Sequence, residues 1–189
     1  MKKLKNLLKS KKGLSTVVTT LIILVVSVLL ATVVTYFAIN VTSTRVQEEA
    51  LHLTKQHIWH NGGTNSTELT HEAAILIINT GGRDVVLDKI TVRGQTVEWD
   101  DVYYCRTQDS ISTDLSYNST LVDGGEILGY TFEVGTTGED VTLKSGWSMI
   151  LYMYNPDSVS VNDIGLTVAI TVYSSQAMYY KETNVEGAA

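Results

Sequence analysis

LSTVVTTLIILVVSVLLATVVTYFAI, residues 14–39, decides how the chain is laid out. These 26 residues hold no charge, no Gly and no Pro. A helix needs about 20 predominantly apolar residues to span a bilayer, so the run is long enough. Ahead of it stands MKKLKNLLKSKKG, with six Lys and no acid; behind it the next charge is Arg45. A secretory signal has an apolar core of about 7–15 residues followed by a small-residue cleavage site. Here the apolar run is longer, no such site follows it, and TYFAINVTSTRVQEEALHLTKQ reads on as helix. The small-residue junction with a processing character lies in front of the run, at Lys11-Lys12-Gly13/Leu14-Ser15. Cleavage between Gly13 and Leu14 would discard the basic peptide and leave the apolar helix at the new N-terminus.

A basic peptide ending in KKG, followed by LSTVV and a long apolar helix, resembles the class III leader of type IV prepilins. The Ser- and Thr-containing start LSTVVTTLIILVV is most similar to the archaeal branch, to which the archaellins are related. The resemblance is specific over residues 9–45, and the order of segments extends it to the whole chain. It implies that a prepilin peptidase removes residues 1–13 and that the precursor is anchored in the membrane. With an assembly machinery, the mature chain then polymerises with copies of itself into an extracellular filament on the cell surface, used for adhesion. Bacterial type IV pilins carry Glu at the fifth mature position; that place is Val18 here, a departure that favours the archaeal branch and leaves open how subunit register is set. An archaellin would share leader and architecture, but its helix usually resembles a Gly- and Ala-richer pattern. A plain signal anchor carrying an exported binding domain would show the same Lys-rich flank and apolar helix; the leader junction favours the pilin.

Val and Ile, abundant in the apolar run, are mediocre helix formers in water. In lipid the helix satisfies its own backbone groups, so this composition is no obstacle. Small residues recur at four-residue spacing, at Ser15/Thr19, Thr16/Thr20 and Ser27/Ala31/Thr35. The row Ser27, Ala31, Thr35 predicts a face on which copies of the helix approach closely, with ordinary Ser/Thr scatter as the alternative. Past Ile39, Val46, Ala50, Leu53 and His57 fall at helical spacing, with Arg45, Glu48, Glu49 and Lys55 on other faces. One helix is therefore expected over 14–58, about 65 Å long.

Residues 59–71, from HNGGTNSTELT, read as a linker, and 72–189 as the head domain. Short strand-like runs at 73–78, 85–93, 96–104, 127–134, 141–143, 147–154 and 164–173 are punctuated by Gly, Asn and Pro, with no helical pattern between them. The expected fold is α+β: the long N-terminal helix followed by an antiparallel, Ig-like β-sandwich, as in the head domains that the chain resembles. The tail from Lys181 is expected to be loose.

Charge separates along the chain. Without residues 1–13 there remain 8 basic and 20 acidic side chains, net −12. That argues against a nucleic-acid partner, which would need basic patches, and it suits an exported surface, with the Lys-rich end held inside. The single cysteine, Cys105, excludes an intramolecular disulfide; flanked by aromatics, it reads as a small buried apolar residue, with a bridge between subunits as the sharper alternative.

Of His52, His57, His60 and His71, the first three do not all share one helical face, though His57 and His60 could meet; no cysteine or carboxylate completes a metal pattern nearby. Asp100-Asp101 and Asn155–Asp163 are oxygen-rich but lack the alternating acidic loop with its closing Glu that calcium uses. No nucleotide-binding, hydrolase or metalloprotease motif occurs. The expectation is a non-enzyme with no cofactor or metal. Three N-x-S/T sequons begin at Asn40, Asn65 and Asn118. Asn65 and Asn118 lie in polar loops and are the candidate glycosylation sites, whereas Asn40 lies on the helix, where a glycan would be crowded.

Overall fold

The computed structural model describes residues 2–46, 48–61 and 71–188, with helix side chains described from Ser15 to Thr44. The chain divides into two units, Met1–Val46 and Gln47–Ala189.

The first unit is a single helix, α1, Lys2–Val46. It runs without a break through Gly13 and Leu14. It also stops well short of residue 58. The residues read from the sequence as its amphipathic half belong to strand β1, Leu51–His60.

Two local features account for that error. Leu51 and Leu53 are buried with His52 exposed between them, a period of two. The alternation is then interrupted by a bulge between Thr54 and His57, where Lys55 adopts φ 53°. A bulge shifts which side chains face inward, so the spacing Ala50, Leu53, His57 imitates a helix. At the head of β1, the Ala50 carbonyl accepts the N–H groups of Thr80 (2.9 Å) and Gly81 (3.1 Å). A Cβ on Gly81 would lie 2.7 Å from both the Ala50 nitrogen and the Glu48 oxygen, so only glycine permits this approach. The predicted turn Asn79–Gly82 thus has a partner far away in sequence. Buried Asn79 closes it by donating to Arg83 O (2.8 Å) and Leu143 O (3.1 Å).

The remaining strands are β2 (His71–Asn79), β3 (Val85–Val92), β4 (Gln95–Val97), β5 (Val102–Thr107), β6 (Glu126–Ile127), β7 (Tyr130–Thr131), β8 (Glu133–Val134), β9 (Val141–Leu143), β10 (Ser148–Tyr154), β11 (Thr167–Ser174) and β12 (Met178–Gly187). A large sheet has the order β4-β3-β11-β12-β1-β2-β10-β5-β8, with β9 also on β3; β6 and β7 form a separate pair. All pairings are antiparallel except β1 with β12, where Ile58 lies opposite Val185. The α+β class is therefore present, as one helix followed by a mostly antiparallel, curled sheet.

The expected Ig-like pair of sheets is seen here as one continuous path curled into a half-barrel. Strand β12 causes this, lying between β11 and β1 and joining the two halves. Its residues, MYYKETNVEG, are mostly exposed and contribute chiefly Val185 and Tyr179 to packing, so the segment reads as a loose tail although both its neighbours pair with it. The expected linker over 59–71 is corrected too. His60 pairs with His71, so the two ends of that stretch belong to neighbouring strands of one sheet rather than to two domains.

The main core fills the concave side. It takes Leu53 and Ile58 from β1, Ile75 and Ile77 from β2, Ile90 and Val92 from β3, and Ile170 and Val172 from β11. A second cluster lies on the other face of β1, β2 and β10, where Trp59, Ala74, Leu76, Ile150 and Tyr152 are covered by Leu115, Leu121, Ile127 and Phe132. The bulge serves this cover: Lys55 Nζ donates to the carbonyls of Ser112 and Thr113, and His57 lies 3.2 Å from Asp114.

Candidate functional site: the apolar helix and the head surface

From Ser15 to Thr44, 30 residues of α1 are long and apolar enough to cross a membrane, and none of them is buried within the chain. Seventeen large apolar side chains are exposed on this helix. Burying one such side chain contributes about 1.5–3 kcal/mol, so leaving all of them in water would cost tens of kcal/mol. The helix needs either lipid or other protein around it.

Its hydroxyls suit such surroundings. Ser27 donates to the Ile23 carbonyl at 2.7 Å and Thr35 to that of Ala31 at 2.8 Å. Thr19, Thr32 and Thr44 donate four residues back, and Thr20 three. A polar group without a partner is costly in hydrocarbon; these bonds to the preceding turn satisfy the hydroxyls. They also fold Ser27 and Thr35 against their own backbone. The row Ser27, Ala31, Thr35 thus presents little bulk, and Ala31 and Thr35 lie in a shallow hollow with Val28, Tyr36 and Ile39.

Of the candidate modification sites, Asn65 lies outside the described residues. Asn118 sits on the cover of the second cluster and is half-buried. Its side-chain oxygen accepts the Thr120 N–H at 3.1 Å, closing a turn over the sequon. Its own N–H donates to the carboxylate of Glu72, at 3.2 and 3.3 Å to the two oxygens. Asn40 lies in α1, where its carbonyl accepts the Thr44 hydroxyl.

Glu72 was not singled out in the sequence, although a charge two residues before Ala74, in a run that buries Ala74 and Leu76 on one face, was a usable signal. It is fully buried. Desolvation pushes its carboxyl up to about 8, against the opposing pull of the Asn118 N–H. Nearby, Tyr152 donates to the Ser116 carbonyl at 3.0 Å, and burial pushes its phenol above the ordinary value.

The histidines are spread through structural contacts. His57 stacks on Trp59, with ring centroids 5.0 Å apart, while His60 meets His71 rather than His57, at 4.8 Å. The oxygen-rich loop after β10 is committed to protein partners. His71 Nδ1 and Asn155 Oδ1 are 3.0 Å apart, and Asp163 accepts from the Ser160 hydroxyl and amide and from Arg93. Those donors hold the Asp163 carboxyl below the ordinary range. Among the described residues, no group of three or more His, Cys, Asp or Glu has the geometry to hold a metal. Cys105 is a free, half-buried thiol on β5 at the margin of the second cluster, and burial raises its pKa.

No protein-family model and no curated protein matches this chain. The functional reading therefore rests on the chain's own residues: an apolar helix with satisfied hydroxyls and a row of small side chains, and an acidic β-rich unit built around two apolar clusters.

Proposed function

We propose that the chain is the structural subunit of an extracellular filament of the archaeal type IV pilus class, serving surface adhesion. The observation that carries this reading is the apolar stretch of α1, whose described side chains are all exposed. A membrane anchors such a helix before assembly, and copies of the same helix cover it afterwards. The small-residue row then permits close approach, and a heterologous contact that does not close extends into a filament. The leader junction Gly13/Leu14 supports the reading, as does the segregation of all six leading Lys from all twenty acids, which lie beyond Val46. In this reading the unit beyond Val46 is the outward-facing head, a half-barrel variant of the Ig-like sandwich, with glycans on Asn65 and Asn118. Prepilin peptidase and the pilus assembly machinery are its processing partners.

A second reading is a membrane-anchored extracellular binding domain, favoured by the bare length of the span. An archaellin is the nearest alternative within the filament class. Mass spectrometry of the protein from expressing cells, together with negative-stain microscopy of those cells, tests the proposal. The expected result is an N-terminus at Leu14, glycans on Asn65 and Asn118 but not on Asn40, and filaments that disappear in Gly13→Val. An intact Met1 terminus, or cells without filaments, would favour the anchored domain.

A further inference from the structure

The half-barrel leaves a recess between elements from its two ends. On one side β5 runs past the short β8, which pairs only with Tyr103 and Tyr104, leaving the edge of Cys105–Thr107 open. On the other stand β9 and the turn that leads to Trp147. The recess between them is about 370 Å³, within the range of small-ligand pockets, about 300–1,000 Å³. Arg106 reaches across it, donating to the Thr142 carbonyl at 3.3 Å with its other terminal nitrogen 3.6 Å from Glu133. Two aromatic rings line the walls, each with a cation above it: Arg106 is 5.2 Å from the Tyr104 centroid, and Lys144 Nζ is 5.2 Å from that of Trp147. Lys144 makes no ion pair among the described residues. The chain beyond Val46 has seven basic residues against twenty acids, and two of the seven meet here, facing one acid.

We propose that this recess binds a carboxylated sugar residue of the hexuronic-acid type. Lys144 and Arg106 supply two charge-assisted donors for the carboxylate. Their contacts with the rings are weak attractions at an exposed site; Lys144, with no ion pair among the described residues, is available to a stronger anion, and Arg106 joins it while it keeps its contacts with Thr142 and Glu133. Trp147 and Tyr104 offer apolar surface to the C–H face of a pyranose ring, and Thr131 and Glu133 give its hydroxyls polar partners. A neutral sugar would leave Lys144 without an anion. A bare anion would leave both rings uncovered. The proposal gives the adhesive role a ligand class and rests on that role for its use alone.

The test uses the dispersed full-length chain in a sugar-free zwitterionic detergent, so its outcome is independent of filament formation. D-glucuronate is titrated while the indole N–H resonance of Trp147 is followed, with D-glucose and inorganic phosphate as comparators; Trp147→Phe assigns the resonance. Glucuronate should give a saturable shift at least about tenfold tighter than either comparator. Lys144→Met should weaken it by about tenfold or more while leaving the melting temperature unchanged. Lack of saturation up to about 50 mM glucuronate would overturn the proposal. So would equal affinity for glucose or phosphate, or wild-type affinity in Lys144→Met.

Discussion

A single carboxyl links the sheet to the segment that covers its outer face. Glu72 is buried in β2 and accepts the Asn118 N–H, which fastens the cover carrying the sequon. Its pKa rises from 4.5 to about 8 on folding. Between those values the folded state holds a proton that the unfolded state has lost. The free energy of unfolding therefore falls as pH rises, with a slope of up to about 1.4 kcal/mol per pH unit, and levels off above about 8. Melting curves of the detergent-solubilised chain from pH 5 to 9 should show this decline in the wild type and lose most of it in Glu72→Gln, which keeps an acceptor but cannot ionise. An equally steep decline in the variant would assign the slope to another group. Lys55 is the other decisive residue. Its left-handed backbone is unfavourable for a side chain with a Cβ, and the conformation is held in place by the carbonyls of Ser112 and Thr113, to which its ammonium donates.

At the scale of elements, β12 and the small-residue row of α1 bear the most weight. Strand β12 has few inward side chains, yet it is hydrogen-bonded on one edge to β11 and on the other to β1. Ending the chain after Ala177 removes both ladders and uncovers Ile58 and Ile170, which are fully buried in the main core. The truncated chain should fail to form a protease-resistant unit in limited proteolysis; a resistant fragment of full size would show that the two halves of the sheet fold without their link. In α1, Ala31→Phe puts a ring into the row Ser27, Ala31, Thr35, where close approach of helices depends on small side chains. Filament yield by negative stain should drop severely while the melting temperature of dispersed subunits stays unchanged. An unchanged yield would place the packing face elsewhere on the helix.

Across the whole chain, charge and hydropathy divide in one direction: Lys-rich start, uncharged helix, acidic β-rich remainder. Lys residues flanking a span are retained on the cytoplasmic side, so in the proposed reading this order sets the orientation. Much of it was legible because such signals are local. Hydropathy over 14–39 marked the apolar helix, Asn79–Gly82 marked a turn, and Val141–Leu143 was read with the strand boundaries observed. The strand-like runs read at 73–78 and 147–154 were also visible.

The sequence by itself determined the apolar run of the helix, though not where the helix ends, and the turns and apolar strands, because each follows from the composition of a window a few residues wide. Tertiary structure alone decided the rest. Leu51–His60 became a strand because Asn79 to His71 lies alongside it and Ala50 is clamped by Thr80 and Gly81. Residues 178–187 became the link between two halves of a sheet because β1 and β11 each had an edge to satisfy. The burial of Glu72 and the meeting of Arg106, Lys144, Tyr104 and Trp147 likewise depend on residues tens of positions apart. Backbone hydrogen bonds carry no side-chain signature, and the environment of a charge is set by whichever segment folds over it.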